Sequence, residues 1–286
     1  MTTPIRVVRL AALAVMVAGC KPSPTPSHGT GSALDSSSAA APPATAMVGR
    51  FAYADSAGAH LLALGALEDP STIVGAVCGE GRVLPVRYDR RQTRQPRDNG
   101  RQVASNFANQ EGQVFRLSSG SAPPDGTCYL SPDSLLLSNA VAARSLGLPA
   151  CAPAHVAGLA GAKGRAVTHC WRIAEISPGA EVLAAQFATI DSSALASLVL
   201  IRDGVMFFHD FPAVAHGADE SLWRVDDQGV FSPRDFAILF VARVARTDVL
   251  AVTWAGAEGE SDRLLRTDST GAFPALLEAY RYWAPN

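Results

Sequence analysis

Residues 198–209 read LVLIRDGVMFFH, two runs of aliphatic and aromatic residues separated by Asp203-Gly204. An Asp-Gly pair suits the two left-handed positions of a type I′ turn, so this segment predicts a two-residue β-hairpin. Both faces of the ribbon are largely apolar, which predicts a position inside a stack of sheets. The turn sets the register of the facing pairs: Arg202 with Val205, Ile201 with Met206, and Leu200 with Phe207.

The rest of the chain carries many strand patterns and few helical ones. β-Branched and aromatic residues predict a second hairpin from residues 236–244 and 249–254, and strands at residues 48–53, 60–64, 82–88, 113–117, 167–176 and 182–190. Ser138 as N-cap and Gly147 as stop signal predict one short helix over 138–146. Residues 273–283 fit either a helix or a strand.

These patterns predict an all-β fold with little helix. Two architectures accommodate about fifteen strands: an irregular β-propeller of four or five blades, or paired β-sandwiches. The chain shows no clean repeat of propeller-blade length, so strand count alone supports the propeller.

The N-terminal residues have the pattern of an export signal. Arg6 and Arg9 precede a short apolar run, residues 10–19, whereas a bilayer span needs roughly 20 residues. The run ends in Val17-Ala18-Gly19-Cys20, which resembles the lipobox of bacterial lipoproteins. The resemblance implies that residues 1–19 are removed as a signal peptide and that Cys20 becomes a lipidated N-terminus. The protein would then be anchored to the membrane through its lipid. In enteric lipoproteins, aspartate after the lipidated cysteine marks retention in the inner membrane. This chain has Lys21 there, so the resemblance implies a location on the periplasmic face of the outer membrane.

Residues 20–46 hold the lipidated cysteine and a linker of Pro, Ser, Thr, Ala and Gly, with almost no apolar side chain larger than alanine. This composition cannot bury a core, so it predicts a disordered tether that holds the domain on the order of 30 Å from the lipid surface. Residues 47–286 are expected to form one β-rich globular domain.

Four cysteines remain after Cys20, an even number in an exported chain, which predicts two disulfides. Three connectivities are possible. Shorter loops close more readily, which favours pairing Cys78 with Cys128 and Cys151 with Cys170. The spacing contains no Cys-x-x-Cys, so a thioredoxin-like or zinc site is not expected.

Charge gives little reason to expect a nucleic-acid partner. Between Arg87 and Arg101 the chain carries six arginines and only Asp89 and Asp98, a local net charge of +4. No aromatic side chains that could stack on bases are interleaved in the pattern of a nucleic-acid platform. The alternatives are a soluble, mobile hairpin loop, or a surface for anionic lipid headgroups, lipopolysaccharide phosphates or an acidic protein.

Two segments near the C-terminus are candidates for binding a partner. Glu258, Glu260 and Asp262 fall in a Gly-rich segment after Trp254, predicted to be an exposed loop that presents charge to a protein or ligates a hard cation. Tyr282 and Trp283 belong to a terminal aromatic cluster that either clamps the last element onto the domain or supplies interface contacts.

No nucleophile elbow, zinc-protease motif, EF-hand loop or phosphate-binding loop is present, so no catalytic residue, metal or cofactor is assigned. The general plan resembles periplasmic lipoproteins that neutralise peptidoglycan hydrolases. This resemblance implies a membrane-anchored protein that binds a protein partner in the envelope. Two alternatives stay open: an envelope assembly lipoprotein, and a hydrolase that uses Asp210, His216, Glu258 or Glu260.

Overall fold

The computed structural model describes residues 48–176, 179–215, 221–222 and 231–283. The predicted signal peptide, Cys20 and nearly all of the tether therefore lie outside the described residues. The strands are β1 Arg50–Ala54, β2 His60–Ala63, β3 Gly75–Cys78, β4 Arg82–Gln92, β5 Gly112–Leu117, β6 Thr127–Ser131, β7 Ala140–Val141, β8 Arg144–Ser145, β9 Val167–Ile176, β10 Ala180–Ile190, β11 Ser193–Arg202, β12 Val205–Ala215, β13 Ser221–Leu222, β14 Phe236–Val244, β15 Thr247–Ala255, β16 Gly259–Arg266 and β17 Ala275–Tyr282. The α-helices are α1 Ser134–Ser138 and α2 Pro153–Lys163, and short 3-10 turns cover Pro70–Thr72, Gly79–Gly81, Ala104–Asn109 and Pro233–Asp235.

The first six strands close into a barrel in the order β1-β2-β5-β4-β3-β6. Alternate residues of each strand point inward and fill its interior, among them Ala52, Leu61, Leu84 and Phe115. Cys78 and Cys128 form one disulfide inside this core. The predicted pairing is confirmed here and at Cys151–Cys170, which ties the segment before α2 to β9.

The other strands form two antiparallel sheets packed face to face. One has the order β13-β12-β11-β10-β9-β8, and the other β17-β16-β15-β14-β7. Leu198 and Leu200 of the first sheet share a core with Leu250, Val252 and Trp254 of the second. A buried ion pair also joins the two sheets, because Arg202 Nε donates to Asp248 Oδ2 at 2.8 Å.

The five-stranded sheet is covered on both faces. Val249 and Ala251 of β15 pack toward Phe51 and Tyr129 on the outside of the barrel, while the alternate residues of β15 enter the sandwich core. A strand buried on both faces needs an apolar run without polar alternation, as 249–254 show. The layers are therefore barrel, five-stranded sheet, six-stranded sheet and α2, whose Leu159 packs on the outer face of β10 and β11.

The all-β class with little helix is confirmed. Both hairpins form, and Arg202 pairs with Val205 in the predicted register. The finer arrangement combines one closed barrel with one two-sheet sandwich. Strand patterns could not distinguish this from a propeller or from paired sandwiches, because a two-residue period does not show where a sheet closes.

The helix predicted over 138–146 is wrong. The helix ends at Ser138, and residues 140–145 contribute β7 and β8. The true N-cap is Asp133, whose carboxylate accepts from the backbone N–H groups of Leu135 and Leu136. Helix α2 is missing from the prediction, and residues 275–282 form a strand. None of the helices in the described ranges has the length and apolar character to cross a membrane.

Candidate functional site

A cluster of polar and charged residues, four of them buried, lies where the five-stranded sheet meets the barrel. Glu260 of β16 stands directly opposite Arg281 of β17, and Asp262 follows two residues later on the same strand face. That face looks toward the barrel residues Asp125 and Thr127. We call these five residues the polar junction.

Arg281 is the hub of the polar junction and is only 3% exposed. Its Nε donates to the carbonyl oxygen of Gln102 at 2.7 Å, and its Nη1 donates to the carbonyl oxygen of Asp125 at 2.7 Å. A further nitrogen, Nη2, donates to the Asp125 carboxylate. The guanidinium also lies 4.9 Å from the ring centroid of Tyr53. These contacts fasten the last strand to the barrel.

The two acids that β16 contributes to the polar junction, Glu260 and Asp262, are buried. Glu260 accepts a hydrogen bond from the Thr127 hydroxyl and lies 3.5 Å from Arg281 Nη1. Asp262 has no exposed surface, and neither of its carboxylate oxygens has a hydrogen-bond partner among the described residues. Burial, reinforced by the charge of Glu260, raises the pKa of Asp262 to about 8. At neutral pH this side chain is mostly a neutral acid.

The prediction of an exposed acidic loop over residues 256–262 therefore needs correction. The turn covers only residues 256–258, and Glu258 is the one acid of the three that is exposed. Glu260 and Asp262 fall on a strand because the barrel covers the face they occupy, which no local pattern reveals. The sequence Asp226-Asp227-Gln228-Gly229 also predicts a turn, which could present acids at the same edge, but these residues lie outside the described ranges.

The terminal aromatic residues Tyr282 and Trp283 lie at the end of the last strand, β17, and contact neighbouring segments. The backbone N–H of Gln102 donates to the carbonyl oxygen of Tyr282 at 2.7 Å. The backbone N–H of Tyr282 donates in turn to the side-chain Oε1 of Gln102 at 2.8 Å. The N–H of Trp283 donates to the carbonyl of Glu258 at 2.9 Å. The structure thus brings together Glu258, Tyr282 and Trp283, and these contacts attach the last strand to the domain, the first of the two roles that the sequence left open.

Two tyrosines of β17 point to the face opposite Arg281. Tyr280 is 50% exposed and Tyr282 is 36% exposed. Trp283 is half-buried, with the Arg281 guanidinium 5.8 Å from its ring centroid. We call Tyr280, Tyr282 and the neighbouring Glu258 the terminal aromatic surface.

Residues 209–220 carry two histidines and three acids, among them the Asp210 and His216 of the hydrolase alternative, and their described members do not form one site. Asp210 accepts from Lys163 Nζ and Ser197 Oγ, each at 2.6 Å. His209 points to the other face of β12, with Nδ1 3.1 Å from the carbonyl of Phe273, and burial lowers its pKa. His216 lies outside the described residues. Over the described ranges, no three His, Cys, Asp or Glu side chains are grouped so that they could hold a metal ion.

The arginine-rich segment begins on a strand. Arg87, Arg90 and Arg91 belong to β4, which is longer than the predicted 82–88. The following residues fold back over the barrel and border a groove of about 450 Å³ lined by Arg91, Arg94, Asp98, Gln102 and Gln113. The predicted hairpin loop is thus shortened to the residues between β4 and β5.

Comparison with known protein families, curated proteins and solved structures finds no match for this chain. Its function must be inferred from its own residues.

Proposed function

We propose that this protein is a lipid-anchored envelope protein that binds a protein partner on the periplasmic face of the outer membrane. The Val17-Ala18-Gly19-Cys20 lipobox supports the anchoring, and Lys21 after it supports the outer-membrane location. The observation that carries the binding role is the terminal aromatic surface, because it combines exposed tyrosines with a backbone held by Arg281.

Rigidity is what makes this surface suitable for recognition. A tyrosine offers a large contact area with few rotatable bonds, so it loses little conformational entropy on binding. Gln102 and Arg281 hold the strand on which the tyrosines stand. A surface that is already ordered loses less free energy on association than a mobile loop would.

The charge next to the tyrosines suggests the class of partner. Glu258 is exposed and adjoins Trp283 through its carbonyl. A carboxylate at the rim of an aromatic surface attracts a basic protein and raises the association rate. Many enzymes that degrade peptidoglycan are basic because their substrate is acidic, so we propose that the partner is a peptidoglycan-degrading enzyme, which the bound lipoprotein inhibits. An assembly complex of the envelope is the alternative partner.

The binding test is a pull-down from envelope extract with the full mature chain, followed by mass spectrometry. Tyr280→Ala/Tyr282→Ala should weaken capture at least tenfold, since aromatic hot spots commonly contribute more than about 1 kcal/mol each. Ile190→Ala/Val205→Ala removes two other exposed apolar side chains and is the matched control. One stoichiometric hydrolase supports the inhibitor role, and an assembly complex supports the alternative. Equal capture by the tyrosine variant and the wild type would contradict the proposed surface.

Anchoring is tested separately with a metabolic acyl probe. The wild type should incorporate the probe and Cys20→Ser should not, because the thiol is the acceptor of the diacylglyceryl group. Equal labelling of both proteins would contradict the anchoring.

A further inference from the structure

The outer surface of the barrel carries two arginines in direct opposition. Arg87 on β4 and Arg116 on β5 are facing residues in the sheet register. Both side chains are exposed, and neither guanidinium makes a hydrogen bond or ion pair with any residue in the described part of the chain. Arg90 follows on β4 after a register shift and is paired with Asp89. We call Arg87, Arg90 and Arg116 the arginine face.

Like charges directly opposite each other destabilise a sheet, so the fold itself does not favour this pair. The two acids close to it are already engaged, Asp89 with Arg90 and Asp55 with His60, which is the cross-strand neighbour of Arg116. Between Arg87 and Arg116 the chain holds seven arginines against three acids, a net charge of +4. The face therefore carries positive charge that described residues do not neutralise.

The same outer surface also exposes apolar groups. Leu84 and Val86 point into the barrel, so the alternate residues Val83, Pro85 and Arg87 form an outward row. Val83 is 42% exposed, and Pro85 is exposed as well. A row that combines apolar side chains with guanidinium groups has the composition of a surface that rests on lipid headgroups.

We infer that the arginine face docks on the anionic phospholipid headgroups of the membrane to which the chain is anchored. Each guanidinium presents a planar set of donors that matches the oxygens of a phosphate. The choice of this membrane as the docking surface rests on the lipid anchoring in the proposed function. An anchor at Cys20, 28 residues before the first described residue, would keep the domain within about 30 Å of the surface, where a weak contact is populated. An acidic protein is the competing partner, and a lipid bilayer is favoured because the face is a β-sheet surface with exposed Val83 and Pro85.

The test uses the full mature chain with Cys20→Ser, so that binding does not depend on acylation. Co-sedimentation is measured with vesicles of phosphatidylglycerol and phosphatidylethanolamine, and with vesicles of phosphatidylcholine alone. We expect binding only to the anionic vesicles, decreasing with added salt. Each basic residue near an anionic surface strengthens binding about fivefold, so Arg87→Gln/Arg116→Gln should lower the partition coefficient about 30-fold.

Arg243→Gln/Arg246→Gln is the charge-matched control, because it removes two exposed arginines from the β14–β15 hairpin. It should bind like the chain that retains all its arginines. Equal binding by the Arg87/Arg116 variant, or equal binding to neutral vesicles, would overturn the inference. If the chain that keeps Arg87 and Arg116 binds poly-glutamate but not anionic vesicles, the inference fails and the face would be assigned to an acidic protein instead. The vesicle test uses a chain without acylation. A negative result there therefore contradicts the docking inference alone, whereas a negative acyl labelling contradicts the anchoring.

Discussion

Asp262→Asn should change how the stability of the domain depends on pH. The folded state raises the pKa of Asp262 from 3.8 to about 8 because the side chain is buried and lies close to Glu260. Between these two values the unfolded chain has released the proton while the folded chain still holds it. The folded state therefore binds more protons, and the contribution of Asp262 to stability declines as pH rises through this range. Below about pH 4 both states are protonated and the penalty is absent.

The slope of the free energy of unfolding against pH follows from the single proton of Asp262. A difference of one bound proton changes the free energy of unfolding by about 1.4 kcal/mol per pH unit. Across pH 5.0 to 7.5 the wild type should lose about 3 kcal/mol relative to Asp262→Asn, whose amide does not titrate. The pH dependence is a better measure than the difference in stability at a single pH. An asparagine amide in this site also lacks hydrogen-bond partners and has its own cost of burial.

The assay is urea denaturation of both proteins at several pH values between 5 and 8, followed by tryptophan fluorescence. Glu258→Gln is the control, since it neutralises an exposed carboxylate on the adjoining turn and surface substitutions usually change stability by less than about 0.5 kcal/mol. Parallel curves for the wild type and Asp262→Asn would refute the assignment of Asp262 as a buried acid that ionises near pH 8.

The disulfides and the arginine hub give two further predictions. Replacing both cysteines of Cys78–Cys128 by alanine removes a crosslink between residues 50 apart and should destabilise by about 4 kcal/mol, against about 3 kcal/mol for Cys151–Cys170, whose partners are 19 apart. Urea midpoints in the opposite order would show that loop closure does not set the difference. Arg281→Met should destabilise by about 3 to 5 kcal/mol because it leaves the buried Glu260 without its cation, whereas Arg246→Met on an exposed turn should have little effect. Similar thermal midpoints for these two variants would mean that Arg281 does not hold β17 to the barrel.

The sequence alone was sufficient where a few neighbouring residues determine the structure. Asp203 and Gly204 both adopt positive φ, at 51° and 78°, as a type I′ turn requires, and this local geometry sets the hairpin register. The disulfide pairing followed from loop length, and the all-β class followed from β-branched and aromatic runs. The missed helix α1 had a readable signal, since Asp133 precedes its first residue in the position of an N-cap.

Tertiary structure alone decided the features that depend on distant segments. Residues 258–262 look like a polar loop, yet Glu260 and Asp262 are buried. Glu260 accepts a hydrogen bond from Thr127 of the barrel, 133 residues away in the chain. The opposition of Arg87 and Arg116 likewise required the pairing of β4 with β5 across an intervening loop. Local sequence encodes turns and alternation through short-range sterics, whereas burial and charge proximity arise only when layers far apart in the chain pack together.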